Sequence, residues 1–185
     1  MTYRLYRGLT TLLGPLLVWI LHRRRRRGKE DPVRFNERLG QPSRERGSGK
    51  LVWLHGASVG EMISVLPLIE QLLQRHPNMR VLVTSGTVTS ARIIVDRLPA
   101  GAFHQYIPID HPASVTAFLD HWRPGLALWV ESELWPNLIN GARARGIPMA
   151  LINARMSEKS FRRWRRFAFV IKPLLQAFEI CIAQS

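Results

Sequence analysis

The chain has 185 residues, 46% of them apolar and 22% charged, which excludes a disordered or low-complexity protein and fits one domain comfortably. A formal net charge of +14 asks for an anionic partner: nucleic acid, a membrane surface or a phosphorylated substrate. The single cysteine, Cys181, excludes a disulfide framework and an all-cysteine zinc site.

The excess charge lies in two blocks around a neutral body. The first adjoins an apolar segment: Gly8 to Leu21 carries no charge and is followed by His22 and the run Arg23 to Arg27. As a helix that segment is about 21 Å long at ~1.5 Å per residue, short of a ~30 Å hydrocarbon core, and Pro15 predicts a bend in it. It reads as a short spanning anchor, as a helix lying in the interface with Tyr6 and Trp19 at headgroup level, as a buried helix, or as a cleaved signal peptide. Five arginines directly after the apolar stretch are the wrong flank for the last. Membrane attachment is expected, with residues 1–27 as the anchor and its basic flank. The positive-inside rule then places the globular part on the cytoplasmic face, and Arg23, Arg24 and Arg25 against anionic lipid. A basic tail for nucleic acid explains the charge but not the apolar stretch beside it. Residues 28–50 are expected to form a short helix over Asp31–Leu39, with Pro32 at its start and Gly40 at its end. A Gly/Ser/Pro-rich linker over residues 41–50 follows.

From Leu51 the pattern alternates. Apolar runs at Leu51–His55, Val81–Ser85, His104–Ile109, Leu126–Glu131, Pro148–Ala154 and Ile180–Ala183 predict buried strands. Glu61–Arg75, Thr89–Arg97, Pro112–Trp122, Pro136–Arg145 and Glu158–Phe178, the last split by Pro173, predict helices. Continuously apolar strands separated by helices argue for a doubly wound α/β fold with a mostly parallel sheet. Ligands of such sheets bind beyond the carboxyl ends of the strands. Four of those ends carry polar residues: His55–Glu61, Thr84–Ser90, Glu131–Pro136 and Asn153–Ser157.

Each has a structural and a chemical reading. In the first loop Gly56 and Gly60 have neither dinucleotide nor Walker spacing. Ser58 and Glu61 have the spacing of a capping box, so Glu61 is either a helix cap or a general base. A helix N-terminus lowers a carboxyl pKa, whereas a base working near neutrality is better served by a raised one. Glu131 and Glu133 place two carboxylates within three residues of a buried strand end. They serve a site, or one of them pairs with Arg155 or caps the next helix. Ser85 and Thr87 suit phosphate or sugar hydroxyls, or cap a helix. Arg155 suits an anion or is a solvated structural residue. The second basic block sets Arg162, Arg163, Arg165 and Arg166 beside an aromatic stripe containing Trp164, as in a helix at an anionic membrane surface or in an ordinary packed helix. His55 is the one histidine at a candidate site, where a structural role is expected. No metal-spaced cluster is evident.

Four ordered motifs carry a resemblance: WLHGASVGE (Trp53–Glu61), TSGTVTSAR (Thr84–Arg92), WVESELWPN (Trp129–Asn137) and NARMSEKS (Asn153–Ser160). Together they resemble the N-terminal domain of 3-deoxy-D-manno-octulosonic acid (Kdo) transferases. That resemblance implies a Rossmann-like N-terminal half of a GT-B glycosyltransferase on the cytoplasmic face of a bacterial inner membrane. It also implies inverting transfer of Kdo from CMP-Kdo to a lipid A precursor, with no metal or other cofactor and no nucleic-acid partner. Glu61 becomes the base, with Glu131 and Glu133 in the same site. Ser58, Gly60, Ser85, Thr87, Arg155 and Ser157 are expected to bind substrate, and Arg23, Arg24, Arg25, Arg162, Arg163, Trp164 and Arg166 to face the membrane or acceptor. Residues 51–185 would be the acceptor domain. A second, donor-binding domain is absent from the chain, so residues 1–185 alone are expected to be inactive. The alternative is a non-catalytic membrane module that binds an anionic lipid.

Overall fold

The computed structural model describes residues 2–131, 133–155, 158, 162, 164, 165 and 168–183. Six strands, β1 (Lys50–His55), β2 (Met79–Ser85), β3 (Ala102–Tyr106), β4 (Leu126–Val130), β5 (Met149–Ala154) and β6 (Ile180–Ala183), form one sheet in the order β3-β2-β1-β4-β5-β6. Every pairing is parallel. This is the doubly wound α/β architecture, and the order in which strands are added reverses between β1 and β4.

The alternation of side chains along a strand divides the core. Leu51 and Trp53 of β1 join Trp129, Phe118, Trp122 and Leu138 on the face covered by α6 (Pro112–Trp122) and α7 (Pro136–Ala144). Val52 and Leu54 join Met62, Ile69, Val83 and Ile94 on the opposite face, under α3 (Val59–Ser64), α4 (Leu66–Arg75) and α5 (Val88–Val95). Burial on both faces is why the central strands read as unbroken apolar runs.

Proline accounts for most departures from the predicted elements. The expected helix Glu61–Arg75 breaks at Val65, because Pro67 has no N–H to continue the ladder. β3 ends at Tyr106 rather than Ile109. Pro108 cannot pair, and the Ile109 amide donates to the Arg38 carbonyl instead. Pro173 lies inside the last helix, α8 (Ala168–Leu175), and does not divide it. Near the helix end it removes one intrahelical bond, and the Gln176 amide still donates to the Lys172 carbonyl. The N-terminal apolar segment forms two helices, α1 (Thr2–Leu12) and α2 (Gly14–Arg26), bent by 61° at Leu13 and restarted with Pro15 in the first turn. No single helix among the described residues is long and apolar enough to cross a membrane, although the bent pair passes by length and composition.

The helix pair is docked on the body. Tyr6 Oη donates to Asp110 Oδ2 at 2.9 Å, Asn137 Nδ2 donates to Thr10 Oγ1 at 3.0 Å, and Leu21 is buried. The segment that follows is a strap along the free edge of β3. Its regular part is a 3-10 helix, Phe35–Leu39, shorter and tighter than the expected Asp31–Leu39 helix; Asp31 Oδ1 accepts the Val33 and Arg34 amides ahead of it. The strap ends at Gly40 with φ 85°, where a Cβ would lie 2.1 Å from the Ser114 carbonyl oxygen, so only glycine fits. Buried Glu37 accepts the Tyr106 amide at 2.8 Å, and Arg34 donates to the His104 carbonyl at 2.7 Å. Within the linker region, Arg46 Nε donates to the Trp122 carbonyl at 2.6 Å.

Candidate active site at the carboxyl ends of the strands

The loop after β1 is built by local bonds. Ser58 Oγ accepts the Glu61 amide at 3.2 Å, as the capping spacing predicts. The Glu61 carboxylate reaches back to the amide of Ala57, one residue before the Ser58 amide of a standard capping box, at 2.8 Å. Glu61 is buried. Gly56 lies beneath it: a Cβ there would meet Met62 Cε at 2.1 Å and Glu61 Oε2 at 3.5 Å. Above Gly60 the space is open, with Ser58 Oγ the nearest atom at 4.0 Å.

The loop after β2 is tied to the first. Thr87 Oγ1 caps α5 through the Ser90 amide at 3.1 Å, and Ser90 Oγ donates to the Ala57 carbonyl at 3.4 Å. Ser85 does not share this rim. Its buried hydroxyl bonds His104 Nε2 at 2.9 Å, so of the two hydroxyls of this loop expected to bind substrate, Thr87 is at the opening and Ser85 is in the interior. Burial, with the Arg34 guanidinium alongside, pushes the His104 pKa down to about 3, so His104 is neutral in this network.

The loop after β4 is held by its own indoles and by one residue of β1. Glu131 adopts φ 60° and Asn153, after the paired residue of β5, adopts φ 54°. Two adjacent strand ends thus carry non-glycine residues in the left-handed region, a strain that clusters at functional sites. Glu133 Oε2 accepts from Trp135 Nε1 at 3.1 Å, and its backbone carbonyl accepts from Trp129 Nε1 at 3.0 Å. Fully buried His55 stands opposite. Its Nδ1 is 3.0 Å from Thr84 Oγ1, and its Nε2 is 3.7 Å from Glu133 Oε2, close enough for charge attraction but beyond hydrogen-bond length. His55 holds the Glu133 carboxyl below the ordinary glutamate value, against the opposing effect of burial, and the Trp135 indole adds to the lowering. Arg155 is exposed just past β5, and Ser157 lies outside the described residues.

Ala57, Gly86, Thr87, Asp110, Glu133 and Trp135 line a cavity of about 370 Å³, closed on its other side by Arg38 of the strap and by Tyr6, Thr10 and Leu17 of the helix pair. Glu133, rather than Glu131, is the member of the acidic pair that faces it. Asp110 accepts from Tyr6, Asn137 and Leu138. Burial raises its pKa, and those bonds oppose the rise. Sequence reasoning missed Tyr6, Thr10, Arg38 and Asp110. Of these only Asp110 leaves a trace, as a lone acid between an apolar run and the proline that opens α6.

The basic residues expected at a membrane divide. Arg23 is exposed and stacks over Trp19. Arg24 pairs with Glu30 at 2.6 Å, and Arg25 lies over Phe35 and donates to the Pro32 carbonyl. Arg162 pairs with Glu158, both side chains exposed, and Trp164 is half-buried. Arg163 and Arg166 lie outside the described residues. Among the described residues no group of three His, Cys, Asp or Glu is placed to hold a metal ion.

A probable mitochondrial 3-deoxy-D-manno-octulosonic acid transferase of Arabidopsis thaliana is 43% identical over 162 residues, covering 88% of this chain and 36% of its own length. The 3-deoxy-D-manno-octulosonic acid transferase of Rickettsia bellii is 40% identical over 98% of this chain and 43% of its own length, and that of Haemophilus influenzae 34% identical over 72% and 31%. The chain therefore spans less than half the length of these relatives. Among solved structures, UGT2 of Phytolacca americana, with UDP-2-fluoro-glucose and pterostilbene, covers 57% of this chain and 30% of its own at 15% identity, with a TM-score of 0.40. It is too distant to add to the assignment. The family model described as 3-deoxy-D-manno-octulosonic-acid transferase (kdotransferase) matches residues 33–185, and the chain belongs to that family.

Proposed function

We propose that this chain supplies the acceptor side of an enzyme that transfers Kdo from CMP-Kdo to a lipid A precursor in lipopolysaccharide synthesis. The observation that carries this reading is a cavity at the carboxyl ends of a doubly wound sheet that Glu133 lines, with Ala57, whose amide binds the Glu61 carboxylate, also in its wall. An acceptor hydroxyl at the Ala57 side of the cavity gives its proton to Glu61. Its oxygen attacks the anomeric carbon of Kdo on the face opposite the leaving group. The bond to CMP breaks, CMP departs with the electron pair, and the configuration inverts. Glu133, kept ionised by His55, accepts hydrogen bonds from the acceptor and holds it in register. Thr87, Arg155 and the open backbone at Gly60 contact substrate around the same rim. CMP is held by residues beyond this half.

The reading extends to location. The apolar faces of α1 and α2 and the exposed Arg23 rest on the anionic cytoplasmic face of a bacterial inner membrane, where the acceptor resides. To test the chemistry, residues 1–185 are joined to the C-terminal half of the Rickettsia bellii relative, and transfer from CMP-Kdo to a lipid A precursor is measured. Turnover that falls by about 10²–10⁴ in Glu61→Gln, with acceptor binding retained, is the expected result. A folded chimera that binds CMP and transfers nothing would overturn it and favour a lipid-binding module without chemistry.

A further inference from the structure

A second cavity adjoins the first, and among the described residues it is lined by uncharged side chains. It is a groove of about 440 Å³ between α1, the start of α7 and α8, lined chiefly by Leu5, Leu9, Pro136, Val170, Pro173 and Leu174. Tyr6 lines both cavities, so one ring forms the wall between them. Its hydroxyl, bonded to Asp110, fixes that wall in place. On one side stand Glu133, Thr87 and Arg38; on the other, aliphatic and aromatic side chains predominate, with Tyr3 and Asn140 as uncharged polar members. The mouth of the groove continues over Leu5 and Leu9, 75% and 52% exposed, onto the uncovered leucines of the helix pair, Leu12 at 77% and Leu16 at 48%.

A ligand that fills both cavities has a hydroxylated, charged head and an aliphatic tail leaving it within one side-chain width. We infer that the groove seats one acyl chain of the lipid acceptor while the head group occupies the cavity at the strand ends. The inference rests on the acceptor reading above, and the path of uncovered leucines lets the chain reach the groove from a lipid surface without crossing water. Burying an acyl chain also supplies binding energy remote from the reacting hydroxyl, the kind an enzyme uses to orient its substrate.

Octanoate, decanoate and dodecanoate titrated into the 185-residue chain test the groove without any chemistry. Each added methylene taken out of water strengthens binding by about fourfold, so affinity should rise about sixteenfold per step. Leu9→Asp, on the exposed face of α1, should flatten the series. Val170→Trp, which fills the groove, should do the same, and the two together guard against a variant that misfolds. A series that keeps its slope in both variants, or a groove closed by dimerisation of the chain at the concentrations used, overturns the proposal. In the chimera, Val170→Trp should raise KM for an acylated acceptor at least tenfold and leave KM for the same acceptor without its acyl chains unchanged. A chimera inactive on both acceptors, with the fatty-acid series intact, refutes the transferase reading and leaves the acyl groove standing. An active chimera whose KM for both acceptors ignores Val170→Trp does the reverse.

Discussion

The loops after β1 and β4 each bring a carboxylate to the same end of the sheet, and they hold it differently. Glu61 is buried and gripped by its own neighbourhood: the Ala57 amide, the Ser58 cap and the packed Gly56 all lie within five residues. Glu133 is half-exposed, faces the cavity, and adds to its two local indoles, Trp129 on its carbonyl and Trp135 on its carboxylate, a partner from another strand, His55 at 3.7 Å. The first arrangement fixes an oxygen in space, as a base must be fixed. The second fixes a charge state, as a binding group needs, because attraction to His55 favours the ionised form. One sheet end thus separates positioning from ionisation.

Exchanging each acid for its amide puts that division to the hardest test. In the chimera, Glu61→Gln should act on kcat, by about 10²–10⁴. Glu133→Gln should act on the acceptor KM, by about 10- to 100-fold for the loss of a charged hydrogen bond worth about 1.5–3 kcal/mol. Equal effects on the same kinetic constant would erase the distinction. Gly56→Ala comes next. Its methyl would displace the terminal methyl of the flexible Met62 side chain, and urea unfolding should show a loss of about 1 kcal/mol. A neutral result would mean that the β1 loop is not held from beneath. Ser58→Ala should cost about 1 kcal/mol by the same measurement, since it removes the N-cap of α3.

The smallest effect is a titration. Carboxyl NMR should place the Glu133 pKa below the ordinary glutamate value of about 4.3. Trp135→Phe should raise it, because that indole is one of the groups lowering it, and should leave the resonances of residues 55–61 in place. The sign for stability follows from the lowered pKa. Glu133 contributes above the unfolded-state value, and its contribution is lost as pH falls through the folded value. A Glu133 pKa at or above the ordinary value would remove His55 from the account.

What could be read from the sequence follows the same division. All six strands and the fold class were legible, because a strand buried on both faces must be an apolar run. The Ser58–Glu61 cap was legible because its partners are three residues apart. Ser85 pointing inward to His104 was not, since a pleat shows which side chains alternate but not which face meets a polar partner. The wall formed by Tyr6 was out of reach for another reason: its partner Asp110 is 104 residues away, and Thr10 and Asn137 are 127 apart. An apolar N-terminal segment reads as something that leaves the body, and here its polar residues return to the site.

The strap leaves the two borders of the sheet unlike. Along β3, Glu37 and Arg34 occupy backbone groups that a further strand would need. β6 bonds only β5 among the described residues, and Ile180 and Ile182 are each 57% exposed. Unwanted growth of the sheet by self-association therefore has one available direction. A lysine in place of Cys181, whose side chain is already exposed, should improve the recovery of soluble 185-residue chain. The same change on the β3 side should bring no gain, because there the ladder is already closed.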